Sequence, residues 1–159
     1  MIPGRRCGIA DAPAIQAVLD TDPAMWELIC GAPLLPNTAE EELAWVPPGS
    51  SLDRKYFYLV DDVAVLDVIE GYPDPATWFV GLIFIAPNGR NRGLGTQLFA
   101  ALAGHVRDAG GRAIRLAVVS THDDAKRFYD RLGFRFIERK PRTMPPGTAQ
   151  LLDVLERVV

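Results

Sequence analysis

The chain contains 159 residues, carries a formal net charge of −3, and is 48% hydrophobic. The length predicts one domain, residues 1–159, and the composition is ordinary for a soluble globular protein. The slight acidity argues against a general nucleic-acid binder, which is usually basic, so we expect no nucleic-acid partner.

Two features of the sequence bear on where the protein works. The two cysteines, Cys7 and Cys30, do not lie in a metal-ligand spacing, so we expect two reduced thiols and no metal site. The first residues lack the apolar core of a signal peptide, and no apolar run reaches the roughly 18–20 residues of a membrane span. We therefore expect a cytoplasmic protein without a membrane partner.

The first third of the sequence predicts helices after one short strand. Asp11 and Pro13 are typical of a helix N-terminus, and Thr38 followed by Glu41 matches the capping-box pattern. The segment 32–52 is otherwise rich in Pro, Ala, Glu and Ser, and it is either a connection that lines a site or a plain surface loop. The predicted elements are a strand at 6–10 and helices at 12–20, 23–31 and 38–45.

The remaining sequence alternates strand and helix patterns. One predicted helix has an apolar residue at every fourth position from Leu94 to Val106 and ends at a Gly-Gly pair. A second helix is capped by Thr121 or Asp123 and closed by Gly133. Runs rich in β-branched, aromatic and other apolar residues predict strands at 55–60, 63–71, 77–87, 112–120, 134–140 and 151–159.

The predicted order is β-α-α-β-β-β-α-β-α-β-β, which indicates an α/β fold of the α+β kind with a mixed sheet. The strands 55–60, 63–71 and 77–87 follow one another through short turns, so we expect them to be antiparallel. The connection from 77–87 to 112–120 is helical, which predicts a parallel pair in the middle of the sheet.

The residues that indicate chemistry are concentrated in the turn before the first of these two helices. It reads Gly-Arg-Asn-Arg-Gly-Leu-Gly-Thr over residues 89–96. The first N–H groups of a helix have no intrahelical partners and lie at the positive end of its dipole. Gly93 and Gly95 carry no side chains that would hold a ligand away, and Arg90 and Arg92 add charge. The turn therefore predicts a phosphate or pyrophosphate site.

Two common phosphate-binding motifs do not fit this turn. The P-loop requires a Lys followed by Ser or Thr, which the turn lacks. The dinucleotide fingerprint requires a third Gly where Leu98 stands and an acidic residue where Arg115 stands. A nucleotide-binding protein is therefore disfavoured, whereas another pyrophosphate-bearing ligand and a turn without any ligand both stay open.

Two motifs in the correct order resemble one family. Residues 90–95, Arg-x-x-Gly-x-Gly after Ile-Ala-Pro, are similar to the Arg/Gln-x-x-Gly-x-Gly/Ala motif of the GNAT superfamily of acyl-CoA-dependent N-acyltransferases. Residues 125–134, AKRFYDRLGF, resemble that family's A-x-x-F/L-Y-x-x-L-G-F segment. The predicted element order also resembles the family's fold, so the resemblance covers nearly the whole chain and is most specific over 78–134.

The resemblance implies where acetyl-CoA would bind. The amides of the turn would hold the pyrophosphate, and the pantetheine arm would bind the preceding strand as an added strand, with residues 117–119 on its other side. His122 stands where the family often has Asn, which leaves that contact open, and Lys126 either reaches the 3′-phosphate or is a surface lysine. The cofactor-binding residues implied in this way are Ile83, Phe84, Ile85, Arg90, Asn91, Arg92, Gly93, Leu94, Gly95, Thr96, His122 and Lys126.

The resemblance also implies a general acid. Tyr129 matches the tyrosine that the family usually uses to protonate the departing CoA thiolate, and the alternative is a tyrosine that only packs in the core. The family's usual base is a Glu on the strand before the motif, but residues 77–81 contain no carboxylate. The base must therefore come from elsewhere, or the amine must arrive partly deprotonated.

Two carboxylates are candidates for the base. Asp67 interrupts an otherwise apolar strand, and burial there would raise its pKa toward that of a base working near neutral pH. Hairpin geometry places it roughly across from Gly81. Glu70 lies further along, on the opposite face of the strand. For both residues an ordinary structural role stays open.

The resemblance thus implies an N-acetyltransferase that moves an acetyl group from acetyl-CoA to a primary amine by direct attack in a ternary complex. Acidic residues near the site favour a small, cationic acceptor, and a protein amine is the alternative, because the fold alone cannot choose. A non-catalytic acyl-CoA sensor is the second class. A homodimer also stays open, in which the last strand, 151–159, would pair across the interface.

Overall fold

The computed structural model describes residues 1–143 and 149–159. Its strands form one mixed sheet of seven in the order β1-β2-β3-β4-β5-β7-β6. The strands are β1 (Arg5–Arg6), β2 (Lys55–Val60), β3 (Ala64–Glu70), β4 (Thr77–Ile85), β5 (Ala113–Val119), β6 (Arg135–Pro141) and β7 (Leu151–Val158). The helices are α1 (Ala12–Leu19), α2 (Pro23–Cys30), α3 (Thr38–Ala44), α4 (Leu94–Asp108) and α5 (Asp123–Arg131).

The topology confirms the predicted mixed α/β fold. Strands β1, β2, β3 and β4 pair with one another in antiparallel order, and β4 and β5 form the expected parallel pair around the α4 crossover. The first strand is shorter than predicted, because the chain turns away after Arg6. The carboxylate of Asp11 accepts a hydrogen bond from the N–H of Gly8 at 2.9 Å, which closes a single helical turn over Ile9–Asp11.

Two predicted helix caps are wrong. The N-cap of α3 is Asn37, because the hydroxyl of Thr38 accepts instead from the N–H of Leu35 at 2.9 Å. The N-cap of α5 is His122 rather than Thr121 or Asp123. In both places the backbone enters the helix one residue away from the side chain that the capping pattern favoured.

Two helical layers cover the sheet. Helices α1, α2 and α3 pack on one face, against side chains that include Phe57, Val65 and Phe84. Helices α4 and α5 pack on the other face, against side chains that include Val68 and Ile114. These faces are called the α1–α3 face and the α4–α5 face below.

The last strand forms as predicted, but it cannot pair across a dimer interface. Strand β7 lies between β5 and β6 and pairs with both, so neither of its edges is available for a second copy. At this end of the sheet the strand with a free edge is β6, all seven residues of which are exposed. Within 1–143 and 149–159, no helix has the length and hydropathy that crossing a membrane requires.

Candidate active site

A β-bulge interrupts strand β4 in the middle of the sheet. Asp67 of β3 pairs with Leu82, and the next residue, Val68, pairs with Val80, so Gly81 is left without a partner between them. A bulge of this kind bends the strand and disrupts the local ladder. Gly81 is exposed although it belongs to a central strand.

The bulge changes the side of the sheet to which alternate side chains of β4 point. Before it, Trp78 and Val80 contact the core of the α4–α5 face. After it, Leu82 and Phe84 contact the core of the α1–α3 face. Alternate residues of a regular strand keep to one face, so the extra residue at Gly81 is the cause of the switch.

Beyond the bulge, β4 and β5 separate. They pair only over Thr77–Val80 and Ala113–Leu116. Residues 82–85 of β4 and 117–119 of β5 then continue without pairing to each other. The resulting gap is open to an extended chain that can form strand-like hydrogen bonds, and it includes Ile83, Phe84 and Ile85, the residues predicted to bind the pantetheine arm.

The glycine-rich turn leads from this gap to the N-terminus of α4. Asn91 and Gly93 both have left-handed backbones, with φ values of 59° and 78°. A Cβ atom added to Gly93, the N-cap of α4, would meet no atom of the described residues within 4 Å. Arg92 and Thr96 are exposed beside it, and Leu94 is half-buried. The first amides of a fifteen-residue helix thus have room for an anion.

Gly95 has a different reason to be glycine. A Cβ atom there would lie 2.9 Å from Cζ of Phe128 on α5. The residue therefore permits α4 and α5 to approach closely, rather than giving a ligand access. The motif singled out Gly95 for cofactor binding, and the sequence held no signal for this packing role.

Arg90 connects the turn to the α1–α3 layer. Its Nε donates to the carbonyl of Ile85 at 2.8 Å, and its Nη1 donates to the carboxylate of Asp22, also at 2.8 Å. Asp22 in turn caps α2 by accepting from the N–H of Met25. The remaining nitrogen, Nη2, is buried and has no partner within the described part of the chain. Arg90 thus keeps one donor for a ligand.

His122 and Lys126 lie at the start of α5, after β5 ends. The Nδ1 atom of His122 is buried and has no partner among the described residues, so this imidazole can form a further hydrogen bond. The ammonium of Lys126 donates to the carbonyl of Ser120 at 3.1 Å and pairs with Asp153 at 3.0 Å. In this arrangement the ammonium of Lys126 is engaged by groups of the protein rather than directed at a ligand. The open helix end, the gap and the unpartnered nitrogens together fit a CoA-like cofactor.

Tyr129 lies on the α4–α5 face inside an aromatic cluster. Its ring contacts Phe99, Phe128 and Phe134, with ring centroids 5.3–5.6 Å apart. Burial raises the pKa of the phenol well above its ordinary value. Tyr129 therefore holds its proton at neutral pH, so in that range it cannot serve as a base but still has a proton to donate.

Asp67 lies on the α1–α3 face, directly behind the bulge. Its Oδ2 atom accepts from Nζ of Lys55 at 2.7 Å, and a Cβ atom on Gly81 would lie 2.9 Å from the same oxygen. Its other oxygen, Oδ1, is buried and has no partner in residues 1–143 and 149–159. Burial raises the pKa of Asp67 to about 6, although the ammonium of Lys55 opposes that shift.

Glu42 of α3 is a second carboxylate on this face, half-buried, and sequence reasoning missed it. Burial and the nearby carboxylate of Asp67 raise its pKa to about 7, while Lys55 and Arg142 oppose the shift. Glu42 stands within a run of three glutamates that reads as a solvated helix face. The buried positions Thr38, Ala39 and Leu43 of the same helix indicate which side of α3 turns inward.

Glu70 lies away from the gap. It faces the α4–α5 side of the sheet, pairs in register with Trp78, and accepts a hydrogen bond from the hydroxyl of Tyr56 at 2.8 Å. Trp78 precedes the bulge by three residues, at the end of β4 that is paired with β5. The predicted face is thus observed, and the hydrogen bond with Tyr56 gives Glu70 a structural role.

Solved structures share this fold at low sequence identity. An acetyltransferase from Thermus thermophilus is 24% identical and has a TM-score of 0.76, covering 97% of this chain and 94% of that one. A GCN5-related N-acetyltransferase from Kribbella flavida is 23% identical, has a TM-score of 0.69, and covers 98% and 96%. An acetyltransferase from Salmonella typhimurium that modifies the N-terminal serine of the 50S ribosomal subunit protein L7/L12 is 14% identical, with a TM-score of 0.75 and coverage of 98% and 93%.

Comparison at the sequence level assigns the family. No curated protein sequence matches the chain significantly. The model of the acetyltransferase (GNAT) family matches residues 23–134, which is more than two-thirds of the chain and contains the bulge, the gap, the glycine-rich turn and Tyr129. The chain therefore belongs to the GNAT acetyltransferase family and is an acyl-CoA-dependent N-acetyltransferase that uses acetyl-CoA.

Proposed function

We propose that this N-acetyltransferase acetylates a small, cationic primary amine, with Asp67 as general base and Tyr129 as general acid. The observation that carries the proposal is the carboxylate of Asp67, which is buried behind an exposed glycine and keeps one oxygen without a partner among the described residues. A buried carboxylate with a raised pKa near an open site is suited to proton abstraction.

The residues divide the proton transfers between them. Acetyl-CoA supplies an acetyl thioester, so a C–N bond forms to the acceptor while the C–S bond to CoA breaks. Asp67 takes the proton that the attacking amine loses. Tyr129 holds its proton until the sulfur leaves and then donates it. Asp67 lies on the α1–α3 face and Tyr129 on the α4–α5 face, so in this proposal the base and the acid would act from opposite sides of the sheet.

The same arrangement supports the proposed cofactor contacts. The amides of residues 91–96 and the positive end of α4 would hold the pyrophosphate, with Arg92 adding charge. The unpaired backbone of residues 83–85 would bind the pantetheine arm. Nη2 of Arg90 and Nδ1 of His122 are each available for one further hydrogen bond. Lys126 would contact the 3′-phosphate only after leaving Asp153.

Charge segregation supports a cationic acceptor. Residues 9–53, which form α1, α2, α3 and their connections, contain eight Asp or Glu and no Lys, Arg or His. The remainder of the chain carries a net charge of +5. The layer that faces Asp67 is thus strongly anionic, and such a field raises the local concentration of cationic ligands.

A matched pair of amines tests the acceptor class. Initial rates of CoA thiol release would be measured with acetyl-CoA and either diaminobutane or the corresponding aminobutanol, which differ by one positive charge. We expect a higher kcat/KM for the diamine and a steep fall of that advantage with added salt. Equal values for the two amines at low salt would contradict a cationic acceptor.

A protein amine is the second candidate acceptor. It is favoured by the fold shared with the Salmonella enzyme that modifies an N-terminal serine of L7/L12. Short peptides beginning with Ser or Ala belong in the same assay, and a preference for them would replace the small-amine proposal.

A Tyr129→Phe variant should keep acetyl-CoA binding, measured by thermal shift, while its turnover falls about 100-fold or more.

A further inference from the structure

Lys55 and Asp67 form an ion pair that solvent hardly reaches. The side chains are 4% and 2% exposed, and Nζ lies 2.7 Å from Oδ2. Neighbouring strands bring the two residues together, because Asp67 pairs in register with Phe57, two residues from Lys55 and on the same face. A buried pair is costly to desolvate and is weak evidence for stability alone.

We propose that Lys55 is a positioning residue for Asp67: its ammonium binds Oδ2 and leaves Oδ1 as the one carboxylate oxygen that can take the acceptor's proton. The inference rests on the proposed role of Asp67 as base. Nζ of Lys55 contacts Oδ2, and a side chain at Gly81 would collide with the same oxygen. The contacts therefore fix the rotamer of the carboxylate and distinguish its two oxygens.

The type of cation matters for this role. A lysine ammonium is a point charge that binds one oxygen, whereas an arginine guanidinium is a planar fork that binds both oxygens of a carboxylate. The chain contains the second arrangement at Asp153. There Nε and Nη2 of Arg139 donate to Oδ1 and Oδ2 at 2.6 and 3.2 Å. Lys55 leaves an oxygen free, and Arg139 does not.

The charged groups around the pair are few in the described part of the chain. Lys55 faces Asp67 from β2, and Glu42 faces both from α3. Arg142, after β6, faces Glu42 rather than Asp67. The adjacent segment of β4, residues 80–83, carries no charged side chain. The ionisation of Asp67 therefore depends on its burial and, among the charged groups, mainly on the ammonium of Lys55.

Lys55→Arg is the decisive substitution. It keeps the positive charge, and with it the ion pair, but the fork should occupy Oδ1. The assay uses whichever of the amines and peptides named above gives the fastest thiol release. With that acceptor we expect kcat to fall about 100-fold, the lower bound of a general base's usual contribution. Acetyl-CoA should still raise the unfolding temperature of the variant as it does for the wild type. A folded Lys55→Arg enzyme with wild-type kcat would overturn the proposal.

Lys55→Met is the companion substitution, because it keeps the length of the side chain and removes the charge. Without the cation, Asp67 should ionise at a higher pH. We expect the acid limb of the kcat/KM profile to move upward by about 1–3 pH units, with activity recovering at alkaline pH. An unmoved acid limb in a folded variant would contradict the proposal, because a purely structural lysine lowers activity at every pH alike.

Two further measurements separate the inference from the proposal on which it rests. If Asp67→Asn keeps full activity, Asp67 is not the base and the proposed mechanism fails. If Asp67→Asn is inactive while Lys55→Arg is fully active, only the role of Lys55 fails. Should neither Lys55 variant fold, ¹⁵N NMR of the Lys55 ammonium in the wild type decides. Its shift should change at the midpoint of the kinetic acid limb, and an unchanging signal would overturn the inference.

Discussion

Asp67 and Asp153 are both 1% exposed and lie on interior strands of the same sheet, yet their surroundings differ. Asp153 faces the α4–α5 side, where Arg139 and Lys126 together bind both of its oxygens. Hydrogen bonds from these cations hold the pKa of Asp153 below its usual range. Asp67 faces the other side, where the described residues give it one cation and leave one oxygen free, and its pKa is raised to about 6.

The difference shows that burial alone does not identify a functional carboxylate. Desolvation raises the pKa of a carboxyl and hydrogen bonds from cations lower it, so the sign of the shift depends on which is larger. Desolvation is the largest cause at Asp67, whereas the hydrogen bond from Arg139 is the largest at Asp153. At Asp153 the donors suffice, and the residue joins α5 to the strands. At Asp67 they do not: Oδ1 keeps no partner among the described residues, and Oδ2 lies beside the bulge that opens the sheet.

The largest expected effect separates the two aspartates by activity. Asp67→Asn should lower kcat by about 100- to 10,000-fold, because the amide cannot accept the amine's proton. Asp153→Asn, the matched control, should leave kcat near the wild-type value at temperatures where it is folded. Thiol-release assays on both variants, with acetyl-CoA thermal shifts as a folding control, measure the contrast. Equal losses would contradict it.

The second effect is on how the stability of the fold depends on pH. Asp153, whose pKa is lowered, contributes stability above about pH 4 that is lost as the pH falls further. Glu42, whose pKa is raised from 4.5 to about 7, does the opposite: it favours folding most below pH 4.5, and this contribution is lost as the pH rises through about 7.

Glu42→Gln should therefore stabilise the protein at pH 8 relative to pH 5, by on the order of 2 kcal/mol compared with the wild type. Urea unfolding at the two pH values measures this. A variant whose pH dependence equals that of the wild type would show that Glu42 ionises as a solvated side chain.

The third effect is the stability lost at the other aspartate. Asp153→Asn should lower the free energy of unfolding by about 1.5–3 kcal/mol at neutral pH, the range for hydrogen bonds to charged groups. The loss stays moderate because Arg139 and Lys126 are 50% and 32% exposed and can be rehydrated. Urea unfolding of the variant checks this value, and no loss at all would mean that the cluster is not structural.

The smallest effect concerns the bulge. A methyl group at Gly81 would lie 2.9 Å from Oδ2 of Asp67, so Gly81→Ala should displace the carboxylate and lower kcat about tenfold, equivalent to about 1.4 kcal/mol. Gly104, inside α4, has no atom of the described residues within 4 Å of its added Cβ. Gly104→Ala, as control, should keep kcat and stabilise the helix by about 0.5–1 kcal/mol. A reversed order of the two kcat values would exclude a role for the bulge.

The sequence predicted the elements best where the periodicity was strong. Strand 55–60 has the predicted bounds, and the apolar stripe of α4 faces the core as expected. Capping was predicted less well, because several adjacent polar residues could each cap the same helix and only tertiary contacts select one. Asn37 and His122 are such cases.

The candidate site was predictable only in part. Asp67 could be identified because a charged residue stood in an apolar strand. Hairpin geometry also placed it roughly across from Gly81, which is the residue that forms the bulge. Lys55 and Glu42 could not be identified, because a lysine at a strand end and a glutamate in an acidic helix are ordinary surface patterns. Their burial depends on how α3 packs over β2 and β3, which local sequence does not encode.

Whether Asp67 is the base can be decided by a ¹³C NMR titration of the side-chain carboxyls of Asp67 and Asp153 in one sample, compared with the acid limb of the kcat/KM profile. We expect Asp67 to titrate near pH 6, at the midpoint of the kinetic limb, and Asp153 to titrate below its ordinary range. If the two carboxyls titrate together at low pH, or if the limb persists unchanged in Asp67→Asn, Asp67 is not the base.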